Sequence, residues 1–166
     1  MNIEGVEIDE KITDLSRKYF SLSEDIPVTT YDGRAFLNAS QKTYDVIMVD
    51  AYQDITIPFQ MSSKEFFELV KSHLKDDGVM VVNMNMRGMK HQSVPFGYDW
   101  KCFDTAVTVD VAGSSNRELF ASDDPDIVKN LTKHTGELTN VNLKNMMQEV
   151  TSNLTEYQKG NYILTD

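Results

Sequence analysis

Three acidic side chains, Glu7, Asp32 and Asp50, each stand at the close of a short apolar run, and no other placement in this chain is better suited to chemistry. Tyr44-Asp45-Val46-Ile47-Met48-Val49-Asp50 is the plainest case, because four consecutive apolar residues cannot alternate between core and solvent. Such a run predicts a central parallel strand covered on both faces. In open α/β sheets the ligand crevice lies beyond the carboxyl ends of the strands, which sets Asp50 at its rim. Glu7 and Asp32 follow the same rule if the three strand ends share one edge, so that the three carboxylates line one crevice. A carboxylate there accepts two hydrogen bonds from the adjacent hydroxyls of a ribose, and Asp32 can accept one from an adenine amino group. Each bond to a charged group is worth roughly 1.5 to 3 kcal/mol, so loss of Glu7 weakens a nucleoside about ten- to a hundred-fold. The competing reading is purely structural: acids at strand ends commonly cap helices and form turns.

Other chemistries find less support. His73, His91 and His134 are far apart and lack metal-ligand spacing to each other or to Cys102, so no metal site is expected. No serine sits in a nucleophile elbow, and no glycine-rich phosphate loop is present. The nine methionines suit core filling better than a cofactor box.

The elements that must position the acids follow from periodicity. Ile3 to Ile8 predicts a short strand, and Asp9 caps a helix whose Ile12, Leu15, Tyr19 and Leu22 form one apolar stripe. Val28 to Tyr31 predicts a second strand, and Asp32-Gly33 a turn into a short helix carrying Phe36 and Leu37. After Asp50, a loop holding Tyr52, Asp54 and Pro58 leads to a helix from Ser62, with Glu65 at capping-box spacing and Phe66, Phe67, Leu69, Val70 and Leu74 as its buried face. Asp76-Asp77-Gly78 ends that helix through a left-handed glycine, and Val79 to Val82 is another continuously apolar strand. Alternating strands and helices imply a parallel sheet covered on both faces. Beyond the Met-, Gly- and Pro-containing stretch Arg87 to Trp100, read as a loop, Ala106 to Val111 and Leu119 to Ala121 predict an antiparallel hairpin. A helix then opens near Pro125 and runs to about Lys133, and Leu143, Met146, Met147, Val150, Leu154 and Tyr157 mark a last amphipathic helix.

Composition sets the outer limits. With 166 residues, 40% hydrophobic and 25% charged, the chain suits a single domain, residues 1–166, with a real core. Its 26 acidic and 16 basic residues give a net charge of -10, which disfavours nucleic acid or an anionic membrane as partner and suits a cationic or zwitterionic small molecule. A single cysteine excludes an internal disulfide framework. With no apolar stretch of membrane-spanning length and no signal peptide, the expectation is a soluble, cytoplasmic protein.

Four segments in order carry a family resemblance: Gly5-Val-Glu-Ile-Asp-Glu10, Tyr31-Asp32-Gly33-Arg34-Ala35-Phe36, Tyr44-Asp-Val-Ile-Met-Val-Asp50-Ala51-Tyr52 and Phe67-Glu-Leu-Val-Lys-Ser-His-Leu-Lys-Asp-Asp-Gly78. In register from residue 3 to about 122, the chain resembles the spermidine synthase-like proteins of the class I S-adenosylmethionine-dependent methyltransferase superfamily, and the closing Ile163-Leu-Thr-Asp166 also looks like a family segment. The resemblance implies an α/β, Rossmann-like sheet, mostly parallel with a C-terminal antiparallel hairpin. It implies S-adenosylmethionine or its decarboxylated form as the nucleoside and a polyamine as second substrate. Glu7 would then hold the ribose, Asp32 with Gly33 the adenine, and Asp50 would be the catalytic carboxylate that orients or deprotonates an attacking amine, with Tyr52 and Asp54 contacting the substrate. The chain departs from the family in carrying Gln53 where a second acid usually follows, Asp54 coming one place later.

Family members also carry a glycine-rich strand before the Glu7 strand, so the expected sheet is truncated, lacking its first strand. A buried strand contributes three or four large apolar side chains at about 1.5 to 3 kcal/mol each, against a whole-domain stability of about 5 to 15. The strands left unpaired invite another chain, so a homodimer is expected. Methyl transfer would use the same nucleoside contacts as aminopropyl transfer, and a non-catalytic interaction module is the third alternative.

Overall fold

The computed structural model describes residues 1–52, 57–87, 102–157 and 165–166, which form two compact units, Met1–Lys42 and Thr43–Asp166.

The first unit is a β-α-β-α succession. Strand β1 (Gly5–Glu7) pairs in parallel with β2 (Val28–Thr30), in the register Gly5↔Val28, Val6↔Thr29, Glu7↔Thr30. Helix α1 (Glu10–Tyr19) starts where predicted, because the Asp9 carboxylate accepts the Lys11 N–H at 2.9 Å and satisfies one orphan donor of the first turn. The Arg17 guanidinium donates to the carbonyls of Ser23 (2.6 Å) and Ile26 (3.1 Å), fixing the return to β2. Helix α2 (Gly33–Ala39) is capped by Asp32, which accepts the Ala35 N–H at 2.8 Å. Of the apolar stripe, Ile12, Leu15 and Tyr19 are exposed and Leu22 is half-buried, and Leu37 is the one buried residue of the unit.

The second unit carries a five-stranded sheet in the order β3-β4-β6-β5-β7, formed by β3 (Tyr44–Val49), β4 (Leu74–Asn85), β5 (Thr105–Asp110), β6 (Asn116–Ser122) and β7 (Thr155–Glu156). β3 and β4 are parallel, whereas β6 is antiparallel to both β4 and β5, as the predicted hairpin requires. Gly113 turns that hairpin with φ 72°, a conformation in which a Cβ is strained. The short β7, which no periodicity announces, pairs with β5. Helix α3 (Lys64–Ser72) lays Phe66, Phe67 and Val70 on the sheet face that carries Val49, Met80, Val82, Leu119 and Ala121, all buried. Helices α4 (Ile127–Glu137) and α5 (Val141–Ser152) pack on each other, and α5 buries no residue completely.

Four expectations are corrected. The cap of α3 is Ser63, whose Oγ accepts the Phe66 N–H, so Ser62 and Glu65 do not form the capping box. The helix stops at Ser72, with His73 as its C-cap, and Asp76-Asp77-Gly78 lies inside β4. The ladder absorbs this segment by an irregularity in which the step from Tyr44 to Val46 faces the step from Leu74 to Val79. Gly78 is needed for space rather than for a left-handed turn, since a Cβ there would stand 3.0 Å from Leu74 Cβ and from the Lys75 backbone. Finally, among the described residues β3 is covered on one face alone. Val49 is buried, but Val46 and Met48, on the opposite face, are 51% and 76% exposed. Among the described residues β1 pairs only with β2 and β3 only with β4, so each presents an open edge. The segment Arg87 to Trp100 lies, beyond Arg87, outside the described residues.

Candidate active site

Glu7 and Asp32 come together at the carboxyl edge of the β1–β2 ladder. Glu7 is the last residue of β1 and stands opposite Thr30, and Asp32 follows two residues later on the neighbouring strand, after the Tyr31 N–H has bonded the Glu7 carbonyl at 3.0 Å. Each acid takes a local structural bond. The Asp9 N–H donates to Glu7 Oε1 at 2.9 Å and the Ala35 N–H to Asp32 Oδ1 at 2.8 Å. The cap-and-turn reading is therefore correct for both, and it does not compete with ligand binding. A carboxylate offers about four acceptor positions, and one backbone amide fixes its orientation while using one of them. Gly33 opens α2 directly after Asp32.

In the second unit the carboxyl ends of β3 and β4 hold a different group. The Asn83 side-chain amide donates to Asp50 Oδ1 at 3.0 Å, and the Tyr52 hydroxyl donates to the Asn83 carbonyl at 2.7 Å. Asn83 stands directly opposite Glu118 on β6, and Glu118 opposite Val109 on β5, so these side chains share one sheet face. Burial, reinforced by the Asp50 charge, holds the Glu118 carboxyl above the ordinary glutamate range. Burial also raises the Tyr52 phenol. The Asn85 backbone offsets this in part, and the charges of Asp50 and Glu118 add to it. Asn83 Oδ1 is buried with no hydrogen-bond partner among the described residues.

Of the residues singled out from the sequence, the structure brings Glu7 and Asp32 together in one unit and Asp50 and Tyr52 together in the other. Asp54, like Gln53, lies outside the described residues. Asn83 and Glu118 escaped sequence reading because their significance is set by cross-strand register. Once the predicted hairpin is aligned on β4, Glu118 is the acid that falls beside the strand-end group. Among the described residues no cluster of His, Cys, Asp or Glu could hold a metal. His73 hydrogen-bonds the Leu69 carbonyl through Nδ1, and His134 pairs with Glu137. A cavity of about 500 Å³ lies elsewhere, at the amino end of β4, lined by Lys71, Leu74, Gly78, Cys102, Phe103 and Asp123. There the Lys71 ammonium is bonded to Asp123 (2.9 Å) and to the Cys102 carbonyl, and the Asp123 bond raises its pKa.

The donor set of a nucleoside, ribose hydroxyls and an adenine amino group, fits an edge bearing two oriented carboxylates. Asp50 faces a different demand. It is exposed and held by one amide, which suits a carboxylate that receives a cation or a proton.

The spermine/spermidine synthase domain model matches residues 1–96. Over 131 residues the chain is 58% identical to the probable polyamine aminopropyl transferase of Bifidobacterium longum, a match covering 73% of this chain and 28% of that protein. The chain thus spans less than a third of the length of that relative. Among solved structures, spermidine synthase from Thermotoga maritima superposes with a TM-score of 0.66 at 19% identity, covering 95% of this chain and 57% of that one. Human methyltransferase-like protein 13, in complex with SAH, gives 0.58 at 20% identity, covering 98% and 76%. These likenesses establish an α/β fold with a Rossmann-like sheet of the methyltransferase type. Among the described residues no helix is long and apolar enough to cross a membrane. With more than half its length matched by the domain model, the chain belongs to the spermine/spermidine synthase family.

Proposed function

We propose that this chain supplies the nucleoside-binding and amine-activating residues of an aminopropyltransferase-type enzyme of polyamine synthesis. The observation that carries this reading is the pair of strand-end carboxylates, Glu7 and Asp32, each aimed by a backbone amide on one edge of a parallel ladder. Glu7 takes the ribose hydroxyls of decarboxylated S-adenosylmethionine, and Asp32 with Gly33 takes the adenine. The sulfonium of that nucleoside supplies the electrophilic carbon. Asp50, steadied by the Asn83 amide, binds the protonated amine and receives the proton that frees a nitrogen lone pair. The nitrogen–carbon bond forms as the carbon–sulfur bond breaks, and the electron pair of that bond stays on sulfur. Tyr52 and Asp54 border the acceptor. Carboxylates favour the cationic acceptor and the sulfonium alike, so an acidic chain suits this reaction better than it suits an anionic substrate.

Calorimetric titration with decarboxylated S-adenosylmethionine, methylthioadenosine and S-adenosylmethionine tests the reading. Tighter binding of the first two supports aminopropyl transfer, whereas a preference for S-adenosylmethionine favours methyl transfer. No heat with any of the three leaves the non-catalytic interaction module.

The open edge of β3, with Val46 and Met48 exposed beside it, supports a homodimer as the working form. Light scattering is expected to show a mass that rises with concentration and that Met48→Lys returns to the monomer. A compact monomer over a wide concentration range would refute the dimer.

A further inference from the structure

We infer that Glu118 is a second cation-binding carboxylate of the Asp50 group and that it receives an ammonium of the amine acceptor. This rests on the aminopropyltransferase reading and extends it to a residue outside the four matching segments.

The placement is set by register. Asn83 bonds Asp50 from β4 and Glu118 faces Asn83 from β6, so the group runs from the residue just past the end of β3 across β4 to β6. The row is rich in acceptors, with one amide N–H of Asn83 already given to Asp50. Asp50 and Glu118 are carboxylates, and the orphaned Asn83 Oδ1 is a buried acceptor without a donor among the described residues. Among those residues no ion pair joins Asp50 or Glu118 to a Lys or Arg; Arg117, the neighbour of Glu118, donates instead to Asp110 at 2.6 Å. A row of this kind calls for a ligand rich in N–H donors and positive charge, and an alkylammonium is the simplest such group. Two facts sharpen the choice. The buried Val109 stands across from Glu118 and keeps water from one flank, so a charge placed there gains more than it would at the surface. Asp50 and Glu118 carry like charge on either side of Asn83, and a cation received between them relieves their repulsion.

The test is titration of 1,4-diaminobutane into the protein saturated with methylthioadenosine. Glu118→Gln, which keeps the size and removes the charge, is expected to weaken the diamine about ten-fold or more while methylthioadenosine affinity stays within about two-fold. Glu118→Asp keeps the charge and is expected to retain more diamine affinity than Glu118→Gln. A second measurement needs no variant: the unaltered protein is expected to prefer 1,4-diaminobutane to 4-amino-1-butanol, which lacks one ammonium, by about ten-fold. Equal affinity for the two ligands, diamine binding unchanged in Glu118→Gln, or nucleoside binding without any diamine binding would each overturn the inference. Failure of the unaltered protein to bind methylthioadenosine would instead overturn the functional reading beneath it.

Discussion

The two units of this chain hold their acids by opposite means. In Met1–Lys42 each acid is fixed by a backbone amide two or three residues further along, Glu7 by Asp9 and Asp32 by Ala35. In Thr43–Asp166, Asp50 is fixed by a side chain thirty-three residues away, and Glu118 joins it through strand register. The units differ in core as well: the first buries Leu37 alone, whereas the second packs Phe66, Phe67, Val70, Met80, Val82, Met84 and Leu119 to near-zero exposure. Local chemistry thus shapes an edge that needs little core, and long-range packing shapes a site that depends on one.

The largest test of that contrast is stability. Phe67→Ala, at a fully buried position, is expected to cost about 3–5 kcal/mol in urea unfolding, whereas Leu15→Ala on the exposed face of α1 is expected to cost under about 1. Equal costs would show that the α1 stripe is covered after all. Next comes affinity: Glu7→Ala is expected to weaken methylthioadenosine about ten- to a hundred-fold by calorimetry, without a matching loss of unfolding free energy. Asp32→Ala removes a cap and is expected to cost about 0.5–2 kcal/mol, the same range as Ser63→Ala at the start of α3.

The smallest effect is a pH dependence. The carboxyl of Glu118 is held above its ordinary value of 4.5, so the folded state binds this proton more tightly than the unfolded chain does. Stability contributed by the protonated form is present at low pH and is lost as pH rises through the raised value. Glu118→Gln is therefore expected to stabilise the protein at neutral pH relative to the unaltered chain, with the advantage vanishing below about pH 4.5. Parallel stability–pH curves would contradict this.

The same contrast explains what the sequence disclosed. The caps at Asp9 and Asp32, the strand ending in Asp50 and the hairpin of β5 and β6 depend on neighbours a few residues apart, and all were legible. The bare face of β3 was not, because Val46-Ile47-Met48-Val49 is equally apolar whether or not anything lies against it. Gly78 misled for a related reason: an Asp-Asp-Gly triplet favours a helix stop locally, but pairing with β3 drew the segment into β4. Asn83 and Glu118 acquire meaning only from the register of β4 against β6.

The central claim is that Glu7 and Asp32 bind a nucleoside, and amide NMR during titration with methylthioadenosine tests it most directly. The Asp9 and Ala35 N–H groups donate to those two carboxylates and report on them. Both signals are expected to shift and to saturate with one common dissociation constant. Saturable binding that leaves both signals in place, or no binding at all, would contradict the account.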